Sequence, residues 1–437
     1  MSELGALREL LSVVERAGGC TNPVRLAGTT VDLSTGELWT GTVPVSCKDR
    51  RAAICPACAA RYRADAWHLV AAGLRGGKGV PASVADHPAV FATLTAPSFG
   101  PVHARRDRGP CHPRRGSPVC PHGRSLACHR THTADDASLG EPLCPECFAY
   151  RDAVLWNAHA GRLYNRTVIL VRRLLAAVVG HGEADREPAR LSYVKVAEFQ
   201  GRGLVHFHVV ARLDGTDGPT SEPPGWATVE VLRACLEAGI TGATVAGAGG
   251  GQRIGWGTEA DLRVIGTEHP EGPADPGAVA AYLAKYSTKS SEASGALARR
   301  VRSDRDPVIG HLRPHLARLV RTAWDLGGEE ELARLRLREH AHTFGFPGHF
   351  ATKSARYSTT FGALRAARAD HRRGGSEVQG AFDYLGRGYP DPRAALLAEA
   401  LSEAGQPAPR AREAVPRGFP GTSPGVPRGF PGGSPPR

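Results

Sequence analysis

The residues with the clearest chemical potential form the run Glu198-Phe199-Gln200-Gly201-Arg202-Gly203-Leu204-Val205-His206-Phe207-His208. On a strand, residues i and i+2 point to the same face, so His206 and His208 project together while Phe207 packs behind them. With a hairpin turn centred on Arg202, Glu198 lies across from His206, Cβ atoms about 4.5–5.5 Å apart. Two imidazoles and a carboxylate on one side of a rigid sheet suit a divalent ion with open positions. Mg²⁺ or Mn²⁺ would keep those positions for phosphate oxygens. The plainer alternative is a hydrogen-bonded His-x-His pair; the cross-strand glutamate and the Gly-Arg-Gly turn favour the metal.

A second set is Ala281-Tyr282-Leu283-Ala284-Lys285-Tyr286-Ser287-Thr288-Lys289, in which Tyr-x-x-Lys occurs twice. On a helix Tyr282 and Tyr286 share a face one turn apart, with Lys285 and Lys289 stacked on the adjoining face. The chain has six lysines among 55 basic residues, so two lysines placed beside two tyrosines mark sites that need a compact ammonium. A phenol with a pKa of ~10 needs such help to act as a nucleophile. An amphipathic surface helix with half-buried tyrosines is the alternative.

The cysteines make a third set. Cys55-Pro56-Ala57-Cys58 and Cys144-Pro145-Glu146-Cys147 are CxxC knuckles, completed upstream by Cys20 and Cys47 and by Cys120 and Cys128. Four thiolates satisfy tetrahedral Zn²⁺, so two structural zinc sites are expected. Cys111, His112, His122, His129 and His132 are spare donors for the second site. Neither knuckle has a thioredoxin-like context, and Cys235 reads as a core residue.

The elements that must position these groups are visible in outline. Val90–Thr95 reads as a strand, Asp152–Leu175 as a helix, and Leu191–Phe199 and Leu204–Leu213 as strands joined by the turn Gln200–Gly203. Val279–Lys289 and Glu329–His340 read as helices, and residues 4–14 as an amphipathic surface helix. The resulting fold class is α+β. We divide the chain into a Cys-containing N-terminal region (1–85), a domain with the His and Tyr motifs (86–375) holding a Cys-rich insertion (105–150), and a tail (376–437). That tail is Pro/Gly/Arg-rich, ends in the duplicated VPRGFPG, and is expected to be largely disordered.

Composition narrows the partner. The 437 residues are 41% hydrophobic and 22% charged, which supports a folded core and excludes a coiled coil or collagen. A formal charge of +12 points to a polyanion. No apolar run is long enough for a bilayer span and no signal peptide is evident, so a cytoplasmic location is expected, where cysteines more often ligate metals than form disulfides. DNA contacts are expected from Arg50, Arg51, Arg61, Arg63 and Arg202, and from His349, Lys353 and Tyr357 on one helical face.

Taken in order, the strand VFATLTAP, the Glu…His-Phe-His hairpin and the Tyr-Lys helix resemble the HUH endonucleases, specifically two-tyrosine rolling-circle replication initiators. PLCPECF and GFPGHFATKSARYSTT look like initiators of actinomycete plasmids and integrative conjugative elements. The resemblance implies an RRM-like antiparallel sheet with helices, Glu198, His206 and His208 as metal ligands, and Tyr282 and Tyr286 as nucleophiles. Gln200 is an alternative or assisting third ligand. It also implies a nickase that forms a 5′-phosphotyrosine link at a single-stranded or hairpin origin and frees a 3′-OH primer. No Walker run is present, so host helicase and polymerase are expected partners. The alternatives are a two-tyrosine transposase and a zinc-dependent DNA-binding regulator.

Overall fold

Alternation of apolar side chains on either side of the Gln200–Gly203 turn builds the central sheet. In this computed structural model the described residues are 3–106, 108–116, 118–180, 188–217, 221–248, 253–258, 260–266, 275–288, 297, 299–373 and 377–404. The chain runs α1 (Glu3–Arg16), β1 (Val24–Asp32), β2 (Leu38–Val45), α2 (Pro56–Arg75), β3 (Ala89–Leu94), α3 (Tyr150–Gly180), β4 (Arg190–Phe199) and β5 (Val205–Asp214). It continues through α4 (Val229–Gly242), β6 (Thr244–Ala246), β7 (Arg253–Gly255), β8 (Ala260–Val264), α5 (Pro276–Thr288), α6 (Pro314–Leu326) and α7 (Leu337–His340). It closes with β9 (Ala351–Lys353), α8 (Phe361–Arg373), β10 (Val378–Arg387) and α9 (Pro392–Ala404).

The central sheet has the order β8-β3-β5-β4-β9 and is antiparallel at every pairing. Its two faces are covered by different helices. Val90, Ala92, Ala197, Phe207, Val209 and Ala211 join the larger core with α3, α4 and α6. Phe91, Val194, Val196 and Val210 pack instead with Leu69, Val70 and Leu74 of α2 and with Val279, Ala280 and Leu283 of α5. Full burial of each such aliphatic side chain stabilises by about 1.5–3 kcal/mol. This second core therefore fixes the helix that carries the tyrosines.

A deeply buried ionic group sits in the second layer. Arg212 has no exposed surface and donates to both carboxylate oxygens of Asp214 (2.6 and 3.0 Å), to the Tyr357 carbonyl (3.3 Å) and to the Gly73 carbonyl. His87 Nδ1 lies 2.8 Å from the same carboxylate. The Asp214 carboxyl titrates below its usual range because His87 and Arg212 outweigh the opposing effect of burial, which is the largest single influence.

Three sequence expectations change. Glu329–His340 is not one helix. A 3-10 segment (Glu330–Leu335) and α7 are separated by Arg336 at φ +51°, where a single left-handed residue breaks the helical path. The stretch 376–437 is not simply a disordered tail: β10 pairs along the whole of β1 to complete the sheet β10-β1-β2. In α9, Ala394 and Ala398 pack with Val14 of α1. Backbone pairing and that small apolar contact tie residues 377–404 to the N-terminal region, while 405–437 lie outside the described residues. Finally, His349, Lys353 and Tyr357 do not share a helical face, because 351–353 is a strand.

Candidate functional site

Register sets the site. Glu198 pairs directly with His206, and Val196 with His208. The turn between the strands closes through Gly203 N to Gln200 O (2.8 Å) and Gln200 N to Leu204 O (2.9 Å), with Gly203 at φ +76°. A side chain at 203 would also meet Leu319 and Leu316. Glycine is needed there for both reasons.

Three side chains from elsewhere, and Arg202 of the turn itself, hold it. Asn157 of α3, fully buried, donates to Gly203 O (2.9 Å) and Phe344 O (3.1 Å) and accepts from Val205 N (3.0 Å). His315 of α6 places Nε2 3.0 Å from Arg202 O and Nδ1 2.9 Å from the Tyr150 hydroxyl. Burial lowers its pKa to about 4, so it is uncharged near neutrality. Arg313 donates to Gly201 O (2.7 Å). Arg202 donates to the carbonyls of Ala96 (3.0 Å) and Pro97 (3.1 Å) and to Gln200 Oε1 (2.8 Å). The Arg202 guanidinium is thus spent on the turn and on the end of β3 rather than facing outward as the expected DNA contact. Asn157 and His315 were missed in the sequence; a polar amide within the apolar stripe of α3 was the available signal.

On the face beside α2 and α5, His208 Nε2 lies 3.2 Å from Glu198 Oε2 and its Nδ1 lies 3.4 Å from Thr93 Oγ1. His206 Nδ1 lies 3.4 Å from Thr95 Oγ1 and 3.2 Å from Gln200 Nε2. The two imidazoles are 4.6 Å apart. Burial first, then the His208 and Arg202 charges, hold His206 far below the ordinary imidazole range, in the neutral form a metal requires. Of the three expected ligands, Glu198 and His208 are in contact while His206 is turned to Thr95 and Gln200, and among the described residues these three are not one of the sets whose donor atoms all lie within 4.8 Å of one another.

Helix α5 starts where Asp275 caps it, its Oδ2 accepting from Ala278 N (2.6 Å) ahead of Pro276 at the first helical position. One face, Val279, Ala280 and Leu283, is buried; Tyr282 and Tyr286 lie beside it, partly exposed. Their rings are 4.4 Å apart, and each lies over His208, at 5.0 and 5.3 Å. The Tyr282 phenol titrates well above the ordinary range, from burial first and then from Tyr286 and Glu198. Lys285 is exposed, and Lys289 lies outside the described residues. At the helix end, Arg50 donates to Ser287 O (3.3 Å) and Arg63 to Thr288 Oγ1 (3.1 Å), linking the tyrosine helix to the N-terminal region.

Of the other expected contacts, Tyr357 is fully buried and donates to Val70 O (3.1 Å), so it serves the core rather than DNA. Lys353 Nζ donates to Ser354 O (3.2 Å) and Ala355 O (3.1 Å); His349 is exposed. Arg51 pairs with Asp49 (2.6 Å). A cleft of about 760 Å³ collects basic groups far apart in sequence: Lys48, Arg61, His68, Lys78, Arg365 and Arg368. Tyr62, on its wall, stacks with Phe361 at 4.8 Å. Only its Arg61 was expected from the sequence.

The cysteines form three clusters, not two. Cys20, Cys47, Cys55 and Cys58 converge as expected, around the N-terminus of α2. Cys120, Cys144 and Cys147 meet His122, whereas Cys128 turns away to join His103, Cys111 and His132. The stretch 103–147 carries two interleaved sets, and sequence spacing could not separate them. In each cluster the four donor atoms lie within 4.8 Å of one another, and each can hold a zinc ion.

Among the described residues no helix is long and apolar enough to cross a membrane. No solved structure matches this chain. A replication initiator protein from Streptomyces ambofaciens is 42% identical over 383 residues, covering 82% of this chain and 79% of its own. The family described as "Replication initiator protein, pSAM2" (RepSA) matches residues 6–403, nearly the whole of the described structure and including β10 and α9. On that span and that identity, the chain belongs to the RepSA family of replication initiator proteins.

Proposed function

We propose that this protein initiates plasmid replication by nicking one DNA strand at an origin, as a two-tyrosine endonuclease of the HUH type. The observation that carries the reading is the placement of two phenol rings over His208, itself 3.2 Å from Glu198. A divalent ion, Mg²⁺ or Mn²⁺, on Glu198, His206 and His208 would supply polarisation of the scissile phosphate. Tyr282 or Tyr286 attacks phosphorus, its proton passing to water. The bond to the 3′ oxygen breaks and that oxygen takes a proton from water, leaving a 5′-phosphotyrosine link and a 3′-OH that primes synthesis. The closeness of the two rings, 4.4 Å between centroids, lets the second tyrosine follow the first without moving the helix.

Single-stranded or extruded origin DNA reaches the site along basic surface. The cleft with Lys48, Lys78 and Arg365 beside the Tyr62–Phe361 stack offers both phosphate and base contacts, and His349 is a further exposed candidate. Zinc at the cysteine clusters serves structure: the first closes the start of α2, which packs on α5. A host helicase and polymerase complete replication. A two-tyrosine transposase would share the chemistry, but membership of an initiator family favours the origin as substrate. A labelled single-stranded origin oligonucleotide tests the reading. Mn²⁺-dependent covalent transfer of label to the protein is expected; binding without transfer would leave a DNA-binding regulator instead.

A further inference from the structure

We propose that His103, Cys111, Cys128 and His132 hold a third zinc ion, and that this ion positions the β4–β5 turn. The donor geometry carries the first half. A zinc tetrahedron with Zn–S of about 2.3 Å and Zn–N of about 2.0–2.1 Å has N···N, N···S and S···S edges of about 3.3, 3.6 and 3.8 Å. Here His103 Nδ1 and His132 Nε2 are 3.2 Å apart, Cys128 Sγ and His132 Nε2 3.5 Å, and Cys111 Sγ and His103 Nδ1 4.0 Å. Cys111 and Cys128 are brought side by side by backbone pairing of their neighbourhood, through Cys128 N to His112 O (3.0 Å) and His112 N to Cys128 O (2.8 Å).

The surroundings are those of a ligand set. His132 Nδ1 lies 2.7 Å from Asp136 Oδ2, which fixes the tautomer that leaves Nε2 a lone pair facing the other donors. Ser138 N and Oγ both donate to the other oxygen of Asp136 (2.9 and 2.7 Å). Ala104 N donates to Cys111 Sγ (3.2 Å), which fixes where that sulfur points. Cys111, Cys128 and His132 are buried and His103 is half-buried, a setting that favours an ion shared by the four donors.

The second half follows the backbone outward from the site. Gly140 N donates to His103 O (2.8 Å) and His103 N to Glu141 O (2.8 Å), so a metal-bound His103 carries residues 140–141 with it. Gly140, at φ +87°, lies directly on Gly201: a Cβ there would sit 2.3 Å from the Gly201 carbonyl carbon and oxygen. One guanidinium, Arg313, bridges both segments, donating to Leu139 O (2.7 Å) and Gly201 O (2.7 Å). From Gly201 the path is short, since Gln200 Nε2 lies 3.2 Å from His206 Nδ1. The ion thus braces the turn that orients a histidine of the candidate cutting site. The zinc site and the bracing stand by themselves; the consequence for cutting rests on the nicking reading.

Metal analysis of the full chain is expected to give three zinc ions per molecule; two would overturn the proposal. Cys128→Ser risks misfolding, so His103→Cys supplies a variant that keeps four donors. In the cobalt-loaded chain the three sets contribute four, three and two thiolates. His103→Cys should therefore raise thiolate-to-cobalt absorption by about one-ninth while three ions are retained. Unchanged absorption would overturn the assignment.

For the bracing, Gly140→Ala leaves every zinc donor in place. Amide exchange at Gln200 and Gly203 is expected to quicken by about tenfold, with Val194–Ala197 unchanged; no change at those two amides would overturn it. In the same variant, DNA–protein adduct should form more slowly at unchanged oligonucleotide half-saturation. If the unaltered protein forms no adduct while zinc count and exchange behave as stated, the nicking reading fails and this inference stands.

Discussion

The ring of Tyr282 meets that of His208 edge-on, at 86° and 5.0 Å between centroids, although one lies on a helix and the other on the middle strand of a sheet. Phe91 on the next strand packs against both, at 5.8 and 5.9 Å, so the pair is seated in the core between sheet and helix.

Replacing both tyrosines by phenylalanine should abolish covalent adduct and leave DNA affinity within about twofold. The rings and their contact remain, so stability should change by less than about 1 kcal/mol. Gel analysis of labelled adduct with a parallel urea titration checks this. Adduct persisting in the double variant would remove the tyrosines from the chemistry.

His206→Ala or His208→Ala should eliminate metal-dependent cutting while the zinc content stays that of the unaltered chain. Each imidazole faces the α5 side of the sheet, and neither belongs to a cysteine cluster. Metal titration of cutting activity is the check. Unchanged cutting would place the ion elsewhere.

Asn157→Leu keeps the volume but strips partners from Gly203 O, Phe344 O and Val205 N. A loss of about 1–3 kcal/mol is expected for each buried group left unpaired. Chemical denaturation measures it; a loss below about 1 kcal/mol would show that water or relaxation replaces the amide.

Asp214→Ala should cost about 3–5 kcal/mol, because it leaves the enclosed Arg212 guanidinium without its counter-charge. Replacing Arg212 and Asp214 together by apolar residues should cost less than the single change. A double-mutant cycle read by urea unfolding decides between these.

Acid should weaken the fold through His315. Its folded pKa is about 4, against about 6.5 when unfolded, so between those values the unfolded chain binds the extra proton and stability falls as pH falls. For this group the loss at pH 5 is about 2 kcal/mol, and above pH 7 it is nil. His315→Gln should flatten the difference between pH 7.5 and pH 5 by that amount; an identical pH profile in both proteins would contradict the assignment.

Much of the site was legible because strand periodicity and a two-glycine turn determine which side chains face one another. The pairing of Glu198 with His206 follows from counting residues around Arg202, and the contact of Tyr282 with Tyr286 from counting along a helix. What counting does not reveal is where distant segments meet. Cys128 sits eight residues after Cys120 in sequence yet belongs with His103 and His132, because two clusters interleave in one irregular loop. Tyr357 reads as an exposed aromatic in a basic stretch, but its ring lies against Gly73. The strand 378–387 gives little signal since nearly all its residues are exposed and its order comes from backbone pairing with β1. Nor does anything local mark Arg336 as the residue that breaks a helical pattern.

The central claim is that a phenol on α5 becomes bonded to phosphorus. Protein incubated with a single-stranded origin oligonucleotide and Mn²⁺, digested with protease and nuclease, and sequenced by mass spectrometry reports that bond directly. The account predicts a nucleotide mass on the peptide containing Tyr282 and Tyr286, attached to one of those two residues. A nucleotide on any other residue, or none at all from an oligonucleotide that is cut, would contradict it.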